Sequence, residues 1–174
     1  MFKKLLLIII PFILFSCTSS VDEVEIKKAN QFFESIFQDR VLDSPEFQAS
    51  LGYKSNYDKW DDITWQNSRR KAKQAIDDLA YLRENINFDK LDESTKISYL
   101  LMEKRLQRTI DNDKFIFHGY MITHRGGKHS SIPSFLINYH KIDEEQDVKD
   151  YIGRLRNIES LMNDLIEQLK LRQD

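Results

Sequence analysis

Three of the four histidines, His118, His124 and His129, fall within residues 118–131, beside the paired glycines Gly126 and Gly127. His140 follows shortly after. Three imidazoles can hold zinc, so His124, His129 and His140 are the first candidates for chemistry. Their spacing speaks against it. His124 and His129 lie five apart, not the four that would put both rings on one helical face, and no His-Glu-x-x-His occurs anywhere in the chain. Gly127-Lys128 lacks the earlier glycine of a phosphate loop, and there is no Gly-x-Ser-x-Gly to form a nucleophile elbow. Asp111-Asn112-Asp113 begins like a calcium loop, but Phe115 and Phe117 occupy positions that need ligands. Asp61-Asp62, Asp77-Asp78 and Glu144-Glu145 are adjacent pairs, and helical neighbours point in different directions, so they make poor acid/base dyads. Arg69, Arg70, Lys71 and Lys73 read as a solvated helix face. The residues themselves therefore assign no catalytic group, no metal ligand and no cofactor.

The one residue with an assignable fate is Cys17, the only cysteine. Lys3 and Lys4 precede an uncharged run from Leu5 to Phe15, too short for a membrane span of about 20 residues. The run ends in Leu14-Phe15-Ser16-Cys17, which resembles a bacterial lipobox. The expectation is a signal peptide over 1–16, lipid attached at Cys17, and a tether over 17–23. Thr18 in place of Asp resembles an outer-membrane sorting signal, so the expected address is the cell envelope, with the body on the outer membrane facing the periplasm. A lone exported thiol invites intermolecular pairing, and lipidation would remove that problem.

Composition sets the architecture. Glycine and proline total 8 of 174 residues, against roughly 12% in average proteins. That scarcity disfavours sandwiches, barrels and glycine-rich nucleotide folds. Lys plus Arg is 26 and Asp plus Glu is 28. Without residues 1–16 the chain loses two lysines and no acid, so 24 bases face 28 acids, a net of −4. Such a surface offers nothing to nucleic acid and no polybasic patch for anionic lipid, which leaves the lipid at Cys17 as the membrane contact.

The elements that must position any site are helices. The i, i+3, i+4 recurrence of apolar residues predicts an all-α, irregular bundle with main helices near 21–42, 65–86, 93–111 and 144–171. Capping signals support the starts: Ser20 with Glu23, Ser44 before Pro45, Thr64, Asp92, and Asp143 with Gln146. Ile76 joins the stripe of the second long helix, and Ile97, Leu100, Leu101 and Ile110 are read as inward on the third. Phe115 and Phe117 are expected under the following connection. A short helix over 132–140 carries Pro133 in its first turn. The final helix carries Val148, Tyr151, Ile152, Leu155, Ile158, Met162, Leu165, Ile166 and Leu169 with no Gly or Pro stop beyond them.

Two patches carry a family resemblance. Ile132-Pro133-Ser134-Phe135-Leu136-Ile137-Asn138-Tyr139-His140, followed by Asp147-Val148-Lys149-Asp150-Tyr151-Ile152-Gly153-Arg154-Leu155, resembles the N-terminal region of the bacterial DUF885 proteins, with Val148 where alanine is usual. Asp43-Ser44-Pro45-Glu46-Phe47-Gln48-Ala49-Ser50-Leu51-Gly52 is similar to the same family's opening, and Asp39-Arg40 fits it. The resemblance implies a helical lipoprotein similar to gluzincin-type zinc metallopeptidases. It implies that zinc, the His-Glu-x-x-His helix and a peptide substrate belong to full-length members. This chain, over 24–174, is then expected to be the incomplete N-terminal helical region, inactive alone, docking on a C-terminal region or self-associating. The alternative is a free-standing helical envelope lipoprotein that binds a protein partner.

Overall fold

The structure, a computed structural model, describes residues 21–172. Ser20, Cys17 and the whole 1–16 segment lie outside the described residues, as does most of the expected tether. The order is α1 (Glu23–Leu42), α2 (Pro45–Ser50), α3 (Trp65–Asn85), α4 (Glu93–Asn112), a two-strand ribbon of β1 (Ile122–Thr123) and β2 (Gly126–Gly127), α5 (Lys128–Asn138) and α6 (Glu145–Lys170). The fold is all-α, and the four long helices end within two residues of the predicted bounds. No helix among the described residues is long and apolar enough to cross a membrane.

The starts are set by side chains that satisfy the free N–H groups of a first helical turn. Asp22 Oδ1 accepts from the Val24 N–H at 3.0 Å, so Asp22 is the cap of α1. Ser44 Oγ accepts from Phe47 at 3.0 Å, with Pro45 opening α2 where a missing N–H is harmless. Thr64 and Asp92 cap α3 and α4 as expected. The α6 start differs from the Asp143/Gln146 expectation. Glu144 is the cap residue, and Asp147 reaches back to accept from the N–H groups of Asp143 at 2.8 Å and Glu144 at 3.0 Å. The short helix also differs: α5 begins at Lys128, so Pro133 sits inside it rather than in its first turn.

Two bodies of core result. In the first, α1, α3 and α4 bury Ala29, Ile36, Ala75, Leu79, Leu82, Tyr99 and Leu106, with Leu91 from the α3–α4 connection. In the second, α5 and α6 close on the 51–64 segment through Tyr57, Phe135, Ile132, Leu136 and Leu161, with Trp60 packed against both groups. Gly52, at φ 84°, ends α2 in the left-handed region that only glycine enters freely, and turns the chain into that segment.

Several inward assignments are corrected. Ile97, Leu100 and Leu101 lie on the solvent face of α4, more than half exposed. The inward line is Thr95, Tyr99, Met102, Leu106 and Ile110. It runs the length of the helix, whereas the other stripe covers one turn and meets Lys104 and Arg105. Ile76 is exposed on α3, and so is Phe115 beyond α4. Phe117 does pack, against Trp65 with ring centroids 6.2 Å apart. On α6 the buried line is Asp147, Arg154, Leu161, Leu165 and Gln168. Val148, Ile152, Leu155 and Ile166 form a second apolar line that is at least 40% exposed.

Candidate functional site

The two sequence patches, nearly a hundred residues apart, meet around Arg154. Arg154 is fully enclosed. Its Nε donates to the Lys59 carbonyl at 3.0 Å, Nη2 to the Pro45 carbonyl at 3.3 Å, and Nη1 to His140 Nδ1 at 2.9 Å. Its guanidinium lies over the rings of Phe135, Tyr57 and Trp60 at 4.7, 4.9 and 5.6 Å. No carboxylate touches it among the described residues. A buried cation usually needs an ion partner. Here carbonyl dipoles and ring faces substitute for one, at a cost: burial makes the guanidinium easier to deprotonate than usual.

The local sequence explains why these groups converge. Asp147, Tyr151, Arg154, Ile158, Leu161 and Leu165 recur at three- and four-residue steps, so all face one way from α6. Gly153 lets the 51–64 segment approach, since a Cβ there would stand 2.9 Å from Asp58 Cβ. Trp60 Nε1 donates to the Arg154 carbonyl at 3.0 Å, and Asn157 Nδ2 to the Asp58 carbonyl at 3.1 Å, so this segment is an ordered brace.

His140 is held in one protonation state. Its Nε2 stands 3.0 Å from the Asp147 carbonyl, which can only accept, so Nε2 carries the hydrogen. Nδ1 faces the guanidinium, which can only donate, so Nδ1 accepts. Burial first, and the Arg154 charge with it, holds its pKa below 6.5 against the opposing Asp147 carbonyl. Its ring stacks on Tyr57 at 4.0 Å and meets Tyr151 edge-on at 5.1 Å.

Ion pairs close the margins. Lys54 Nζ reaches Asp147 at 2.6 Å and Asp143 at 3.1 Å. This pairing, Asp147 foremost, raises the lysine above its usual range and lowers Asp147 below that of a carboxylate. Glu46 pairs with Lys128 at 2.5 Å, while Asp61 accepts from the Ser44 hydroxyl at 2.6 Å and the Glu46 N–H at 2.9 Å. The motif residues Ser44, Pro45, Glu46, Phe135, His140, Asp147 and Arg154 thus join three chain segments.

The histidines do not assemble a metal site. Both nitrogens of His140 are committed, to Arg154 and to the Asp147 carbonyl, which leaves no lone pair for an ion. His118, His124 and His129 are exposed on the 118–131 segment. Among the described residues, these four imidazoles therefore do not supply a zinc donor set. The basic run at the start of α3 is partly spent in pairing: Arg70 and Lys71 meet Asp43, and Arg69 meets Asp113. In the sequence Arg154 stands only as one member of the 147–155 motif, with no role attached to its charge. The signal was a charged residue on the inward spacing of α6, between Tyr151 and Ile158.

The enclosed network excludes solvent from its cation and fixes its imidazole as neutral. Its chemistry is that of a clamp rather than of a reacting centre. No curated protein and no solved structure matches this chain. The family described as bacterial protein of unknown function, DUF885, matches residues 45–174, the span that holds Arg154 and the groups it touches, and the chain belongs to that family.

Proposed function

We propose that this chain is the N-terminal helical part of a lipid-anchored, zinc peptidase-like envelope protein, and that α6 is the wall on which further protein seats. Cys17 is the lipid attachment point in this reading, and the body faces the periplasm from the outer membrane. The observation that carries it is the second apolar line on α6. Val148, Ile152, Leu155 and Ile166 are 40–48% exposed beside a line that is already buried. From Val148 to Leu155 that line runs about 10 Å at 1.5 Å per residue, and Ile166 resumes it beyond the exposed Glu159. Exposed apolar residues gathered on one helix face mark contact surfaces. The Arg154 clamp serves the same role by fixing α6 rigidly against the 51–64 segment. The peptidase chemistry and its zinc are assigned to residues other than these.

The test joins two measurements. Cys17→Ser should leave an unprocessed precursor in membranes, and normal cleavage and release of that variant would remove the anchor from the proposal. Reading the genome after codon 174 in all frames should reveal a His-Glu-x-x-His segment. An unrelated gene there would instead favour a free-standing lipoprotein whose α6 takes a separate protein partner.

A further inference from the structure

Ile97, Leu100 and Leu101 of α4 are 60, 51 and 65% exposed, each more open than any member of the exposed α6 line. Towards the end of the helix the same face turns basic. Ile97, Leu101, Lys104 and Arg108 follow at steps of four, three and four, so they stand in one row. Lys104, Arg105 and Arg108 are all exposed. The acids of α4 are engaged elsewhere: Glu93 pairs with Lys96 at 3.2 Å, Glu103 with Arg83 at 2.8 Å, and Asp111 accepts from Gln107 at 3.1 Å. Among the described residues, none of the three bases has a carboxylate within 4.0 Å. The chain-wide excess of acid thus conceals a local face that is apolar at one end and cationic at the other.

This face begins where the described chain begins. The Asp22 N–H donates to the Lys90 carbonyl at 2.9 Å, and the Asn87 N–H to the Glu25 carboxylate at 2.7 Å. The first turn of α1 is therefore bonded to the connection that opens α4. From Glu93, the start of α4, Ile97 and Leu101 lie about 6 and 12 Å along the axis. Val24, 77% exposed, adds an apolar side chain to the same first turn of α1. Cys17 precedes Asp22 by five residues, a span of at most about 18 Å. A lipid on Cys17 would keep this end of the body within reach of the bilayer that holds it.

We propose that the outer face of α4 seats on the surface of an anionic phospholipid bilayer. Ile97, Leu100 and Leu101 enter among the headgroups, and Lys104, Arg105 and Arg108 hold their charged ends at the phosphates. Such a helix draws on apolar burial and on attraction to anionic lipid together. Three apolar and three basic side chains make a weak contact alone. The anchor strengthens it, because a tethered face meets the bilayer at high effective concentration. The lipid then retains the body and α4 sets its orientation. This inference rests on the reading of Cys17 as the lipid attachment point, and needs nothing from α6 or from peptidase chemistry.

The experiment puts a nitrobenzoxadiazole dye on Leu101→Cys in the full membrane-extracted chain. The chain is reconstituted in vesicles of equimolar phosphatidylcholine and phosphatidylglycerol, with spin-labelled lipid as quencher. Ile137→Cys carries the same dye on α5, where the side chain is 81% exposed, as the comparison. Strong quenching at Leu101 and little at Ile137 is expected. Lys104→Gln combined with Arg108→Gln should lower the ratio of seated to unseated chains about 25-fold, the effect of two cations near an anionic surface. Equal quenching at Leu101 and Ile137, with Cys17 acylated by mass spectrometry, overturns the seating and leaves the anchor in place. Quenching at Leu101 that is as strong on phosphatidylcholine alone overturns the assignment to anionic lipid. An unmodified Cys17 overturns the anchor and this inference together.

Discussion

The Arg154 guanidinium donates to His140 Nδ1 at 2.9 Å, so a permanent cation is hydrogen-bonded to an imidazole that must stay neutral. Protonating His140 would turn its acceptor into a second donor facing the first, inside a pocket where neither charge reaches water.

This relationship sets a pH dependence. The folded pKa of His140 lies below 6.5, so the unfolded chain takes up the proton first as pH falls. The contribution is therefore fully present above 6.5 and is lost as pH falls from 6.5 through the folded value. Urea unfolding at pH 7.5 and 5.5 should give lower stability at the acid pH. His140→Asn should shrink that difference, and an unchanged difference would place the titration elsewhere.

Replacing Arg154 separates its charge from its size. Arg154→Met leaves the Lys59 and Pro45 carbonyls and His140 Nδ1 without their donor. Loss of one side of a buried polar network costs about 3–5 kcal/mol, of which relief of the buried charge returns only part. Arg154→Lys should not restore stability, because a lysine cannot donate in three fixed directions. Denaturant midpoints with unchanged slopes are the readout.

At Gly153 two effects oppose. Glycine to alanine inside an exposed helix gains about 1 kcal/mol. Here the added methyl would stand 2.9 Å from Asp58 Cβ, an atom tied closely to its backbone. Overpacking of this kind costs about 1–3 kcal/mol, so Gly153→Ala should destabilise. A stabilised variant would show that the 51–64 segment yields easily.

The two lines on α6 predict opposite outcomes a few residues apart. Leu161→Ala removes a side chain 4% exposed and should cost about 2–5 kcal/mol. Ile152→Glu alters one 40% exposed and should move stability by no more than about 0.5 kcal/mol. The Glu variant should also lower self-association in sedimentation velocity, since it charges the proposed contact face. On α4, Leu106→Ala and Leu101→Ser should divide the same way.

The sequence by itself determined the helices, because caps and periodicity are local. Asp92 and Thr64 act within one turn, and Pro45 and Gly52 set the ends of α2 by backbone geometry alone. It determined the family too, since Pro45, His140 and Arg154 are legible as a pattern wherever they end up in space. Periodicity did not determine which apolar line turns inward when a helix has two. On α4 the compact group Ile97, Leu100 and Leu101 outweighs Tyr99 and Leu106 to the eye, yet only the longer line meets α1 and α3 along its whole length. On α6 the choice fell to the line holding Arg154, a residue that its charge alone would place outside. Only the tertiary structure could decide that, because what makes the interior habitable for Arg154 comes from elsewhere in the chain. The Pro45 and Lys59 carbonyls, the rings of Tyr57 and Trp60 and the neutral His140 compensate its lost water only once the fold brings them together.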